Sequence, residues 1–152
     1  MKYIGLIGLA GSGKDTAAGA LYELGYYRVA FADRLKMLAR SFGWDGKKDE
    51  RGRALLQDLG MAGRRYNPDT WVEFVQFLEE DCKLVYTDVR FQNEADYIRN
   101  KGGIIVRIVR PGIISGNHES ELKQSEIPAD IEIVNDGTIE DLHNKIRAIL
   151  TK

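Results

Sequence analysis

Apolar residues gather in five short runs, at about 3–8, 27–31, 84–87, 104–109 and 131–134. Their cores do not alternate strictly, the pattern of parallel strands buried on both faces. Between them lie segments with helical spacing, at about 14–24, 33–42, 51–62, 69–80, 92–100 and 138–150. In the last, Ile139, Leu142, Ile146 and Ile149 recur three or four residues apart. Pro68-Asp69 opens the helix that carries Trp71, Val75 and Leu78 on one face. Residues 44–50 form a polar loop, and a Gly-, Ser- and Asn-containing loop with a short helix fills 112–126. Gly102-Gly103 and Pro111-Gly112 act as stops. Strands that alternate with helices connect by right-handed crossovers. The pattern therefore predicts a three-layer α/β/α sandwich around a five-stranded parallel sheet, in one domain spanning 1–152.

Ligands of such folds bind beyond the carboxyl ends of the strands. Gly8, Asp33, Asp88, Arg110 and Asn135 all fall at or just past those ends. Gly8-Leu9-Ala10-Gly11-Ser12-Gly13-Lys14-Asp15-Thr16 follows the first strand and opens a helix, the context a P-loop requires. Its backbone N–H groups can converge on phosphate oxygens, with the helix N-terminus adding partial positive charge. Lys14 supplies a full charge for the β- and γ-phosphates. Asp15 stands where the general pattern has a Ser or Thr that ligates magnesium, and Thr16 follows one place later. A Rossmann site, with Asp33 as the ribose acid, fits less well. Thr16 occupies the place of the third Gly or Ala, and Lys14 lies inside the turn.

Composition narrows the classes. The 152 residues hold 22 Lys+Arg against 23 Asp+Glu, a net charge of −1. This is not the balance of a basic nucleic-acid binder, so no polymer partner is expected. A single cysteine, Cys82, excludes an intrachain disulfide and a Cys-cluster metal site. No apolar stretch approaches the ~18 residues of a membrane span. The N-terminus does not read as a signal peptide. The expectation is a soluble cytoplasmic protein without membrane association, with a homodimer compatible.

The remaining polar residues form a constellation. Asp88 ends a buried strand, as a Walker-B carboxylate does, and can hold magnesium directly or through water. Capping the next helix is its other reading. Arg90 can clamp a phosphate or pair with Glu94. Arg51, Arg53, Arg64 and Arg65 make a local cationic patch between the second and third strands, which suits a second phosphate-bearing substrate or a solvated face. Gln57 can read a base edge and Trp71 can stack on it; both are also ordinary surface or packing residues. Arg110 precedes a loop and suits a lid arginine. His118-Glu119-Ser120-Glu121 offers little as a metal site. Asn135-Asp136-Gly137-Thr138 turns the last strand into the last helix.

These pieces together resemble the deoxynucleoside monophosphate kinase family of bacteriophages and some bacteria. The resemblance rests on Gly8 to Thr16 with its Gly-Lys-Asp-Thr ending, Phe31-Ala32-Asp33-Arg34-Leu35-Lys36, Leu56-Gln57-x-x-Gly60 with Arg65 and Trp71, and Thr87-Asp88-Val89-Arg90-Phe91-x-Asn93-Glu94. It continues through Arg107-x-x-Arg110-Pro111, His118-x-Ser120-Glu121 and Ile133-x-Asn135-Asp136-Gly137-Thr138. The series runs in order along most of the chain, and the family shares the Asp at position 15. The resemblance implies a nucleoside-monophosphate-kinase-like P-loop fold with an acceptor-binding helical insertion at about 33–80 and a lid at about 111–126. It implies ATP and magnesium, and transfer of the γ-phosphoryl group to a deoxynucleoside monophosphate.

On this reading the catalytic residues are Lys14, Asp88, Arg90 and Arg110. ATP meets Gly8, Ala10, Gly11, Ser12, Gly13, Lys14, Asp15, Thr16 and Asn135. The acceptor meets Asp33, Lys36, Gln57, Arg65, Trp71, Arg90 and Glu94. Asp88 and Asp15 serve the metal. The acceptor is expected between the insertion and the phosphate loop, clamped by Arg65 and Arg90, since its phosphate needs cations beyond those that neutralise the donor. The alternatives are a kinase of another small phosphorylated acceptor, of the dephospho-coenzyme A or phosphomevalonate kind, and a noncatalytic nucleotide-binding protein. A GTPase is disfavoured, because no Asn-Lys-x-Asp base reader is present.

Overall fold

A computed structural model of the protein describes residues 1–76, 82–114 and 119–151. The chain forms two compact units. One holds Met1–Val29 with Asp81–Lys152, and the other holds Ala30–Glu80.

The first unit carries the sheet: β1 (Tyr3–Ile7), β2 (Tyr26–Val29), β3 (Lys83–Tyr86), β4 (Ile104–Val109) and β5 (Ile131–Val134). All pairings are parallel, in the order β2-β3-β1-β4-β5. Burial follows that order. Every residue of central β1 is buried, whereas β2 at one edge exposes Tyr27 and Arg28. The expectation of strands covered on both faces thus holds for the centre and fails at β2, because an edge strand lacks a neighbour on one side. The β2 strand also begins at Tyr26 and ends at Val29, earlier than the apolar run implied. Phe31 instead precedes the helix Ala32–Ser41.

Helices α1 (Lys14–Glu23) and α7 (Ile139–Ala148) cover one face of the sheet. Ala17, Ala18, Leu21, Leu142 and Ile146 join Ile4, Leu6, Val106 and Ile108 in one core. Side chains alternate along a strand, so Gly5 points to the other face. There a Cβ on Gly5 would lie 2.8 Å from Ile98 of α5 (Gln92–Asn100). The backbone of β1 can therefore meet α5 closely only because position 5 has no side chain. Within the 112–126 segment a helix, α6 (Glu119–Glu126), forms; residues 115–118, including His118, lie outside the described residues.

Among its described residues the second unit packs three helices, α2 (Ala32–Ser41), α3 (Glu50–Tyr66) and α4 (Thr70–Gln76). Asp49 caps α3 by accepting from the Gly52 N–H at 2.8 Å, the usual service of an N-cap carboxylate to an unpaired helix N–H. The rest of the helix expected to 80 lies outside the described residues. Among the described residues, no helix is long and apolar enough to cross a membrane.

Candidate active site

Parallel strands lie about 4.8 Å apart, so the ends of β3, β1, β4 and β5 bring their following residues onto one edge. From these ends come Asp88, the Gly8–Thr16 loop, Arg110 and Asn135 in that order. The expected clustering of these positions in the first unit is thus a consequence of the strand order.

The loop after β1 is held from two sides. A Cβ on Gly8 would lie 2.4 Å from the Ile108 carbonyl oxygen, so β4 permits only glycine there. Gly13, at φ 103°, is the N-cap of α1, and a Cβ on it would lie 2.4 Å from Nδ2 of Asn135. The same Asn135 amide donates to the Ser12 carbonyl at 2.9 Å. Asn135 itself is fixed where its N–H donates to the Val109 carbonyl at 2.7 Å. Asn135, expected as an ATP contact, therefore braces the back of the loop. Ala10 and Gly11 at the tip are exposed, and Asp15 is exposed in the first turn of α1.

Lys14 curls over the loop. Its ammonium donates to the Gly8 carbonyl at 2.5 Å and to the Leu9 carbonyl at 2.9 Å. Burial lowers the Lys14 pKa below its ordinary value, and the nearby charge of Arg90 lowers it further. Asp15 and Glu121 oppose the shift. A loop lysine facing a second cation from the neighbouring strand end is the electrostatic condition for drawing in a polyanion. Ser12 is 1% exposed, and its hydroxyl has no hydrogen-bond partner among the described residues. The loop's polar groups thus fit a phosphate chain: a cation held at its mouth, exposed glycine backbone at its tip and a buried hydroxyl with bonding capacity left over.

Asp88 is half-buried just past β3, anchored by the preceding Thr87 N–H donating to the Val29 carbonyl at 3.1 Å. Glu94, 2% exposed, accepts from the N–H groups of Arg90 and Phe91 at 2.7 and 3.2 Å. Its carboxylate thereby serves the entry of α5 and fixes the backbone that presents the exposed Arg90. A cleft of about 190 Å³ lies beside the loop, lined among others by Gly8, Ser12, Arg110, Ile113 and Gln124. Arg107, left out of the sequence-derived site, sends its guanidinium to the Ile127 carbonyl at the end of α6.

The second unit carries the other expected acceptor residues. Asp33 and Lys36 form an ion pair at 3.5 Å within α2. Gln57 and Arg65 are exposed on α3. Trp71 is different. It is 4% exposed, and its indole N–H donates to the Gly60 carbonyl at 3.2 Å. A Cβ on Gly63 would lie 2.7 Å from the ring, so the glycine face of α3 admits the indole. Trp71 joins α4 to α3 by packing, and its ring is not an exposed surface for a base. Arg34, named in the sequence only as part of a motif, lies over the Phe74 ring at 4.7 Å.

Sequence reasoning missed Gln124, and it named Glu121 in a motif without the charge it places near Lys14. Both lie on a mostly polar helix with no apolar stripe to mark an inward face.

Comparison with known proteins follows the same lines. The deoxynucleotide monophosphate kinase family profile matches residues 53–146. An Acanthamoeba polyphaga mimivirus protein bearing the name of that kinase is 35% identical, covering 96% of this chain and 94% of its own length. The deoxynucleotide monophosphate kinase of Enterobacteria phage T4 is 30% identical over 64% of this chain, which matches 44% of the phage enzyme. Among solved structures, shikimate kinase from Aquifex aeolicus superimposes with a TM-score of 0.63 at 17% identity, covering 98% of this chain and 96% of its own. Dephospho-CoA kinase from Campylobacter jejuni gives 0.57 at 13% identity, with 99% and 96% covered. At such identities these two speak for a shared P-loop kinase fold.

Proposed function

The chain belongs to the deoxynucleotide monophosphate kinase family, and we propose on that premise how its residues divide the transfer of a phosphoryl group from ATP to a deoxynucleoside monophosphate. An acceptor phosphate oxygen forms a bond to the γ-phosphorus as the bond from that phosphorus to the β–γ bridging oxygen breaks, giving ADP and the deoxynucleoside diphosphate. The protein's task is to align the two anions and to neutralise charge.

The observation that carries the reading is the geometry of Lys14. Its ammonium is held by the Gly8 and Leu9 carbonyls, with Arg90's charge acting on it. Donor phosphates would exchange these carbonyl contacts for stronger, charge-assisted ones. The loop backbone from Ala10 to Lys14 would hold the β-phosphate, and Lys14 would bridge to the γ-phosphate. Asn135 keeps that backbone in place. Thr16, half-buried in the first turn of α1, stays a candidate for the donor side. Arg90 and Arg110 would neutralise charge on the transferring group, with Arg90 also meeting the acceptor phosphate.

Magnesium fits as the metal. Among the described residues no group of three or more His, Cys, Asp or Glu is gathered to hold an ion. A magnesium site of one or two carboxylates, completed by phosphate oxygens and water, needs no such group. Asp88 would be the principal residue and Asp15 the secondary one. When bound, the ion would offset negative charge on the donor phosphates.

For the acceptor, the exposed Gln57 and Arg65 and the Asp33–Lys36 pair are the proposed contacts in the second unit. A coupled assay of ADP release tests the reading. With ATP and magnesium it should show turnover with one or more deoxynucleoside monophosphates. Dephospho-coenzyme A and phosphomevalonate should give none. Turnover with either of these alone would move the protein to a different acceptor class.

A further inference from the structure

We propose that Gln124 is a positioning residue for phosphoryl transfer, whose buried side-chain amide holds the Asp88–Arg90 turn in place beside the phosphate loop. The inference rests on the kinase reading above and goes beyond it, because Gln124 belongs to none of the motifs that carry that reading.

Gln124 is 7% exposed, and its Nε2 donates to the Val89 carbonyl at 2.8 Å. Val89 lies between Asp88 and Arg90, and its side chain is fully buried. A Cβ on Gly5 of β1 would lie 3.2 Å from that side chain, so Val89 packs against the strand that leads into the phosphate loop. The turn is thus pinned through its middle residue, by β1 at the side chain and by α6 at the carbonyl. The residues on either side are the metal carboxylate and the phosphate arginine of the proposed mechanism. Gln124 also lines the cleft with Gly8, Leu9 and Ser12, so one side chain borders the loop and grips the turn.

The support behind it is firm. Arg107 of β4 binds the Ile127 carbonyl and, at 3.5 Å, the Ser125 carbonyl. Ile127 is itself 1% exposed. The segment expected to form a lid therefore has its C-terminal end tied to the sheet. A buried amide costs free energy unless it is hydrogen-bonded. Leu or Met would fill the same space without that cost, so the donor at position 124 is there for the carbonyl it meets.

Three proteins test this: wild type, Gln124→Met and Gln124→Glu. Methionine keeps the volume and removes the donor. Its kcat should fall about tenfold, the scale on which misplacing a reacting group by a fraction of an ångström acts. Its KM for ATP should stay within about twofold of wild type if donor binding is left intact. The glutamate variant can donate to the Val89 carbonyl only when protonated, so its kcat relative to wild type should rise as the pH is lowered. Wild-type constants in Gln124→Met would overturn the inference. So would a loss that merely follows the unfolded fraction measured by thermal denaturation, or a flat pH ratio in Gln124→Glu. If the wild type phosphorylates no deoxynucleoside monophosphate, the kinase reading fails by itself. Amide hydrogen exchange then decides the role of Gln124. The Arg90 amide, protected by Glu94, should exchange faster in Gln124→Met while α7 is unchanged, and unaltered exchange at Arg90 would refute it.

Discussion

The side-chain amide of Asn135 reaches back across the chain to donate to the carbonyl of Ser12 at 2.9 Å, and the same nitrogen occupies the space where a Cβ of Gly13 would stand. The last strand of the sheet thereby shapes the loop that follows the first. Gly13→Ala meets two obstacles, a left-handed φ of 103° and this contact at 2.4 Å. The φ alone costs roughly 1–2 kcal/mol for a residue with a Cβ, about 5- to 30-fold in an equilibrium. ATP-analogue affinity should fall at least that far in Gly13→Ala. Asn135→Ala in the same background should return the steric part and leave the dihedral part, which calorimetric titration of the single and double variants would separate.

Lys14→Met should cut turnover by about 100-fold or more, as removal of a preorganised charge from a transferring phosphoryl group does. Stability should respond to pH in a defined direction. Burial, then Arg90, lowers the Lys14 pKa in the folded protein below 10.5. Between the folded value and 10.5 the unfolded chain binds more protons, so stability rises with pH there. Below the folded value the charge works fully against folding. Wild type should therefore gain on Lys14→Met as the pH climbs toward 10.5, in denaturation curves collected across that range. A difference that stays constant or shrinks would contradict the burial account.

Asp88→Asn should lower turnover strongly and raise the magnesium concentration needed for half-maximal rate. Asp15→Asn should do the same to a smaller degree. The difference follows from placement, since Asp88 is half-buried behind an anchored strand end and Asp15 is exposed on the first turn of α1. Magnesium titrations of both variants check it. Full activity in Asp88→Asn with none in Asp15→Asn would reverse the assignment.

Arg90→Ala should raise the KM for the deoxynucleoside monophosphate and leave ATP-analogue binding nearly intact, which separate titrations with the two ligands would show. A selective loss of ATP-analogue binding would put Arg90 on the donor side. Glu94→Ala should reach the same turn by another route. It strips the Arg90 and Phe91 N–H groups of the Glu94 acceptor, and losing such a charge-assisted bond at a half-buried site costs about 1 kcal/mol. Denaturation should register that loss of stability alongside the loss of activity, whereas Arg90→Ala at an exposed side chain should change stability little.

Read on its own, the sequence determined whatever depends on neighbours along the chain. The Gly8–Thr16 loop is contiguous, and its glycines, lysine and flanking strand and helix specify a P-loop turn locally. The five apolar runs and the helical spacings fix the alternating elements, because burial imposes periods of about 2 and 3.6 on adjacent residues. Asp88 was legible for the same reason, as a polar residue at the end of a buried run. Tertiary structure alone decided what depends on distant partners. The strand order β2-β3-β1-β4-β5 made β2 an edge strand and set Asp88, Arg110 and Asn135 around the loop. It gave Asn135 to the back of the phosphate loop, and it put Trp71 into the α3–α4 packing where its sequence context suggested a base. Gln124 carries no signature at all, since its partner lies 35 residues away and is a backbone carbonyl, a group every residue has. Hydrogen bonds of that kind leave no pattern in the order of side chains; only the folded backbone determines which carbonyl stands within reach of which amide.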